Sequence, residues 1–119
     1  MFGGTSEEKL AKMVEKKKWD KLRKLLNGDK ATVINLAKAC SHSEEDESTN
    51  MLIELLRASD RDVKMAAIDS LGKVGNEHAV APLQYIEKSN PDCGKDMIDA
   101  VHKAISNIRE RSKASMDHE

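Results

Sequence analysis

The chain has 119 residues, enough for one domain, and its 20 Lys and Arg against 21 Asp and Glu leave it nearly neutral. That balance excludes a uniformly basic nucleic-acid grip, and no stretch nears the roughly 18 uncharged apolar residues of a membrane-spanning helix. Only Phe2, Trp19 and Tyr85 are aromatic while 34% of residues are charged, so aliphatic side chains have to build whatever core there is.

Thr5-x-x-Glu8 reads as a capping box that opens a helix near 6–16. The triplet Trp19-Leu22-Leu25, spaced i, i+3, i+6, predicts a helix near 18–27 with one apolar stripe, and Asn27-Gly28-Asp29 stops it. Thr32-Leu36-Cys40 marks a helix near 31–41. Thr49-Leu52-Leu55 marks the next, near 46–58, and Ser59-Asp60 supplies its stop and the following N-cap. Val63-Ala67-Leu71-Val74 predicts a helix near 61–74, with Gly72 and Gly75-Asn76 breaking the chain after it. In the helix near 77–89, carrying Val80-Leu83-Ile86, Pro82 requires His78 to Ala81 to form a tight opening turn. Beyond the turn Ser89-Asn90-Pro91-Asp92, the series Met97-Val101-Ile105-Ile108 predicts a last helix near 95–111. No segment alternates with period two, so strands are not expected.

The triplets recur at offsets of 30 and 31 residues, with Leu26 and Leu56 widening the first two stripes, and the intervening helices recur as well. A period near 30 is the signature of stacked helix pairs, in which no unit can bury its apolar face without a neighbour. The expected fold is an all-α, right-handed α-solenoid of about three helix pairs plus a closing helix. Its repeats fall at about 5–29, 30–60 and 61–91, with a capping helix at about 95–111 and flexible ends at 1–4 and 112–119.

Residues 59–88 resemble a bacterial HEAT repeat of the phycobilisome-lyase-like type. The likeness runs through Asp60 or Asp62, Val63, Lys64, Ala66, Ala67, Leu71, Gly72, Val74, Gly75, Ala79, Val80, Pro82 and Leu83, and extends in weaker form over 18–58. At Lys64 the family often carries Arg, and Lys offers a point charge in place of a bidentate fork. The resemblance implies that second helices line a concave face. Taking Leu22 as inward, three outward rows cross the repeats: Asp20/Asn50/Ala81, Lys24/Glu54/Tyr85 and Asn27/Arg57/Lys88. From them Lys24, Asn50, Glu54, Arg57, Tyr85 and Lys88 are the expected partner-binding residues. Tyr85 is the anchor, because an outward aromatic wastes apolar area unless something covers it. The expected function is a non-enzymatic protein-interaction module or scaffold for a protein or peptide, with self-association through terminal repeats as a further possibility if Ile98 is exposed.

Other chemistries leave weaker traces. Residues 1–30 carry a net charge of +4 and residues 31–60 one of −4, so the basic run Lys16-Lys17-Lys18 with Lys12, Lys21, Arg23 and Lys24 could touch phosphates. Trp19 sits at a core position of the stripe, however, and nucleic-acid binding is the minority reading. The acidic run Glu44-Glu45-Asp46-Glu47 lacks the ligand spacing of a calcium loop and fits a solvated helix N-terminus. Among HEAT-repeat enzymes, deoxyhypusine hydroxylase uses His-Glu dipeptides on facing repeats. Here His-Glu occurs only at His118-Glu119, and the internal pair is reversed as Glu77-His78. His42 and His102 have no paired ligand at helical spacing, so neither a metal nor another cofactor is expected. An enzyme or accessory subunit of lyase type is the alternative from another class. Cys40 aligns with Leu71 and Ile105 as a small core hydrophobe, while Cys93 is the more exposed thiol. The two cysteines form no disulfide or zinc pattern, and the N-terminus carries no signal-peptide pattern, so a cytoplasmic protein is expected.

Overall fold

In the computed structural model, which describes residues 6–89 and 93–117, the chain is a stack of helices with no strand among the described residues. The helices are α1 (Glu7–Glu15), α2 (Trp19–Arg23), α3 (Lys30–Ala39), α4 (Asp46–Leu55), α5 (Arg61–Val74), α6 (Val80–Ser89) and α7 (Lys95–Asp117). Tighter 3₁₀ turns at Lys24–Asn27, Cys40–His42 and Glu77–Ala79 extend α2 and α3 and introduce α6. This is the all-α solenoid expected from the periodicity.

Pro82 stands in the first turn of α6, where its missing N–H costs nothing because the first four N–H groups have no intrahelical partner. Ser6 caps α1: its backbone is extended and its Oγ accepts from the Lys9 N–H at 3.2 Å. Thr5 itself lies outside the described residues, as do Asn90, Pro91, Asp92, His118 and Glu119. So does the end at 1–4 expected to be flexible, and only 118–119 of the other end. Residues 112–117 are instead helical, because nothing in the run after Arg111 is a helix breaker. Gly72 does not end α5; it lies inside it, where a Cβ would stand 3.3 Å from the Ala104 backbone of α7. It is there for close approach, and the helix ends at Val74.

α1, α3, α5 and α7 form one row in which each helix packs on the next, and α4 and α6 lean on α5 and α7 respectively. Small buried residues at equivalent positions, Ala39, Ser70 and Ala104, let the row close up without large rings. The stripes point where periodicity places them: Leu22, Leu52 and Leu83 are each completely buried, as are Ala67, Leu71 and Val101 of the alternate helices. Thr49, at the head of the second triplet, is buried with its hydroxyl oxygen unpartnered.

Polar ties then hold successive units in register. At the helix starts, Asp29 and Asp60 cap α3 and α5, accepting from the N–H groups of Thr32 at 2.9 Å and of Asp62 and Val63 at 2.8 and 3.2 Å. Beside each cap a cation reaches forward. The Lys30 Nζ lies 3.2 Å from Asp60 and 2.9 Å from Asp62, and Arg61 donates to the Asp96 carboxylate and, at 2.6 Å, to the Cys93 carbonyl. Arg61 holds the Asp96 carboxyl below its ordinary value. Desolvation pushes the Asp60 carboxyl up, but hydrogen bonds from Val63, Lys30 and Asp62 outweigh it and leave that group low as well. These pairs make a ladder of aspartates and cations between repeats, built by Lys30 and Arg61 at the helix starts.

At the opposite ends of the row, carbonyls at and just beyond the helix ends are met by side chains from later elements. Ser48 and Ser70, both buried, donate to the Cys40 and Ala37 carbonyls at 2.5 and 2.7 Å. Arg111 of α7 forks over the end of α5, reaching the carbonyls of Gly72 at 2.6 Å, Gly75 at 2.7 Å and Leu71 at 3.4 Å. Arg111→Ala should therefore cost about 2 kcal/mol in chemical denaturation, the usual magnitude for hydrogen bonds to a charged group. Arg111→Lys should recover less than half of that, since a compact ammonium on a flexible stem lacks the spread with which two guanidinium nitrogens reach the Gly72 and Gly75 carbonyls together; a lysine variant as stable as wild type would show that the fork geometry is not needed. For the ladder, a lowered carboxyl contributes stability above its unfolded value and loses it as pH falls through the folded one. The melting temperature of wild type should thus exceed that of Asp96→Asn near neutrality. The gap should close as pH drops below 3.8, the group's ordinary value.

Candidate functional site

All nine outward positions of the three rows are exposed, as the helical register requires. Lys24 belongs to the 3₁₀ turn after α2; Asn50 and Glu54 lie on α4, with Arg57 in the turn that follows it; Tyr85 and Lys88 lie on α6. Among the described residues Tyr85 is the one large hydrophobic side chain left exposed, at 68%. Its backbone carbonyl accepts the Ser89 hydroxyl at 2.7 Å, an interaction within the helix that leaves the ring free to face outward.

The second helices α4 and α6 rest on α5 and α7 and not on one another. The stack is drawn together along the first-helix row, where small residues permit close approach, and its second-helix side is the looser one. Between α4 and α6 it opens into a groove of about 760 Å³. Ile53 and Leu56 form the wall on the α4 side, and Ala81, Pro82, Tyr85 and Ile86 form the wall on α6. Arg57 and Lys64 bring two cations to it, Lys64 from α5 beneath, and no acidic residue lines it. Neither cation has a carboxylate within ion-pair distance among the described residues. The volume is within the usual range for a ligand cleft and matches the space of a few side chains.

The structure thus brings Arg57 and Tyr85 into one groove, with Glu54 on the adjoining exposed surface of α4. Lys24, Asn50 and Lys88 are exposed but do not line the groove. Sequence reasoning missed Ile53, Leu56, Lys64 and Pro82 as site residues. Leu56 read as a widened core stripe, and it is indeed buried, yet its edge still contributes to the groove. Ile53, half-buried one position outside the Thr49-Leu52-Leu55 stripe, was the available signal.

The other candidates resolve into structural roles. Lys16-Lys17-Lys18 closes α1 in a Schellman-type turn: the N–H of Lys17 donates to Val14 and that of Lys18 to Met13, at 2.9 and 3.0 Å. Lys17 adopts the left-handed conformation with φ of 58°, a position where Gly is usual, and its ammonium lies 3.4 Å from Glu45. Trp19 is half-buried against the core. The acidic run forms the first turn of α4, where Asp46 also accepts from the Asn76 amide at 3.0 Å. His102 lies 2.7 Å from Glu87, joining α7 to α6, and Ile98 is half-buried. Among the described residues no three His, Cys, Asp or Glu side chains gather where a metal ion would sit, and no helix is long and apolar enough to cross a membrane.

Comparison with known proteins agrees with this architecture. The family model for HEAT repeats matches residues 19–93, and the chain belongs to that family. The match is to HEAT repeats in general, a family of protein-interaction scaffolds, and the lyase-like cadence of residues 59–88 stays a resemblance. Neither the curated proteins nor the solved structures contain a significant match.

The two thiols differ as their places in the fold dictate. Cys40 is completely buried at the end of α3, and burial pushes its thiol up to about 11, the Ser48 hydroxyl opposing this in smaller measure. Cys93 is half-buried in the segment before α7. A thiol reagent at neutral pH should titrate one group quickly, abolished by Cys93→Ser, and a second only at the rate of opening or after denaturation. Two equally fast thiols would contradict the packing of Cys40.

Proposed function

We propose that the chain is a non-enzymatic protein-interaction module that receives a protein or peptide partner in the groove between α4 and α6. The observation that carries this reading is Tyr85, exposed at 68% on the wall of an apolar groove in a protein whose other large hydrophobic side chains, among the described residues, are covered. A partner that covers the ring gains its apolar area, while the groove itself is positioned by helix packing and needs little ordering on binding. Around this anchor, Glu54, Arg57 and Lys88 provide charged contacts on the rim, with Lys24 and Asn50 farther along the same rows, and such contacts set selectivity more than affinity.

Quantitative affinity capture from a lysate of the source organism tests this with wild type, Tyr85→Ala and, as a control, Lys103→Ala, which lies at the separate groove between α5 and α7. Proteins captured by wild type and by Lys103→Ala should fall at least tenfold with Tyr85→Ala, as expected for loss of an aromatic anchor. Identical capture by all three forms would remove the groove from the interaction.

A further inference from the structure

We infer that the partner segment is an acidic, apolar peptide, one in which Asp or Glu flanks a hydrophobic side chain; this rests on the groove being the docking site. Six of its nine lining residues are aliphatic, proline or aromatic, so its centre favours an apolar side chain lying against Tyr85 and Ile86. Its charge is of one sign. Arg57 and Lys64 supply two positive charges from the turn after α4 and from α5, and no carboxylate lines the groove.

Three cations tie successive units together, Lys17 with Glu45, Lys30 with Asp60 and Asp62, and Arg61 with Asp96. Arg57 and Lys64 have no such partner among the described residues, so a bound carboxylate would meet cations not already engaged in holding the fold. A basic peptide would meet like charge within the groove, Glu54 lying on the adjoining surface and not in its lining, and a neutral one would leave both cations facing an apolar ligand. Two cations around an aliphatic cleft are too few to track a nucleic-acid backbone, whose binding rests on many phosphate contacts. Peptide carboxylates spaced on either side of one apolar residue match both features of the groove at once.

The full chain, panned against a display library of random short peptides, provides the test. Recovered peptides are synthesised and titrated by fluorescence polarisation against wild type, Tyr85→Ala and the double variant Arg57→Gln/Lys64→Gln. Thermal melts confirm that both variants fold. Peptides enriched in Asp or Glu beside Leu, Ile or Phe are expected. Replacing their acids by Asn or Gln should weaken binding to wild type about tenfold, as two exposed charge pairs allow. The double variant should bind both peptide forms alike, and added salt should weaken only the acidic form on wild type. Peptides that need Tyr85 yet are indifferent to their own carboxylates or to the double variant would overturn the acidic class and leave the docking site standing. Recovery of no peptide sensitive to Tyr85→Ala would overturn both.

Discussion

The first-helix row is pinned at both of its ends, and the rest of the molecule hangs on that. In an aromatic-poor stack no single unit has enough apolar surface to fix its own orientation, so sliding of one helix past the next has to be opposed by directional contacts. At one edge, Lys30 and Arg61 reach from the start of one helix to the acidic start of the next. At the other, Ser48, Ser70 and Arg111 reach carbonyls at the ends of α3 and α5 and in the turns that follow them. Exposed ion pairs are individually weak, and their value here is geometric: each spans two units and fixes register, whereas the buried Leu and Ala contacts supply most of the stabilisation.

Pinning the first helices closely has a consequence for the second ones. Ala39, Ser70, Gly72 and Ala104 draw α3, α5 and α7 together, and Gly72 stands so near Ala104 that a larger residue would force the helices apart. The second helices are then carried on the looser side of the stack, α4 on α5 and α6 on α7, and a gap between them follows. The groove beside Tyr85 is thus a product of how tightly the opposite layer closes. Substitutions on α5 or α7 that thicken the first-helix row would alter its shape without touching a lining residue.

Much of this was readable before any coordinates. Period, stripe and turn chemistry placed seven helices, and the same register put all nine outward positions in solvent because a helix fixes direction once one inward residue is known. What escaped was whatever depends on residues far apart in the chain. Arg111 looked like the end of a helix, and only its approach to carbonyls some forty positions earlier makes it a cap. Lys30 and Arg61 carry no mark in the sequence beyond following the N-cap residues Asp29 and Asp60. Gly72 read as a stop because Gly often ends helices, whereas close approach to α7 is a tertiary reason invisible in one sequence. Ile53 and Lys64 became groove residues only once the spacing of α4 and α6 was known. The Lys16-Lys17-Lys18 run shows the converse, a feature conspicuous by composition that turns out to close α1.

Near-neutral net charge is, in this light, a consequence of architecture. A basic first unit and an acidic second one do not simply cancel; part of their charge is spent between units, as Lys17 meets Glu45 and Lys30 meets the two aspartates that open α5. A content of 34% charged residues coexists with a thin aliphatic core because the charges lie at helix ends and rims where water still reaches them. Arg57 and Lys64 stand at the edge of the groove between α4 and α6 with no carboxylate in its lining, and Tyr85 stands beside them without a cover. An uncovered ring and two unmatched cations on one groove leave both an apolar and an electrostatic requirement open at the same place. A single ligand that satisfies both gains from each, which is why the composition of the groove constrains its partner more tightly than either feature alone.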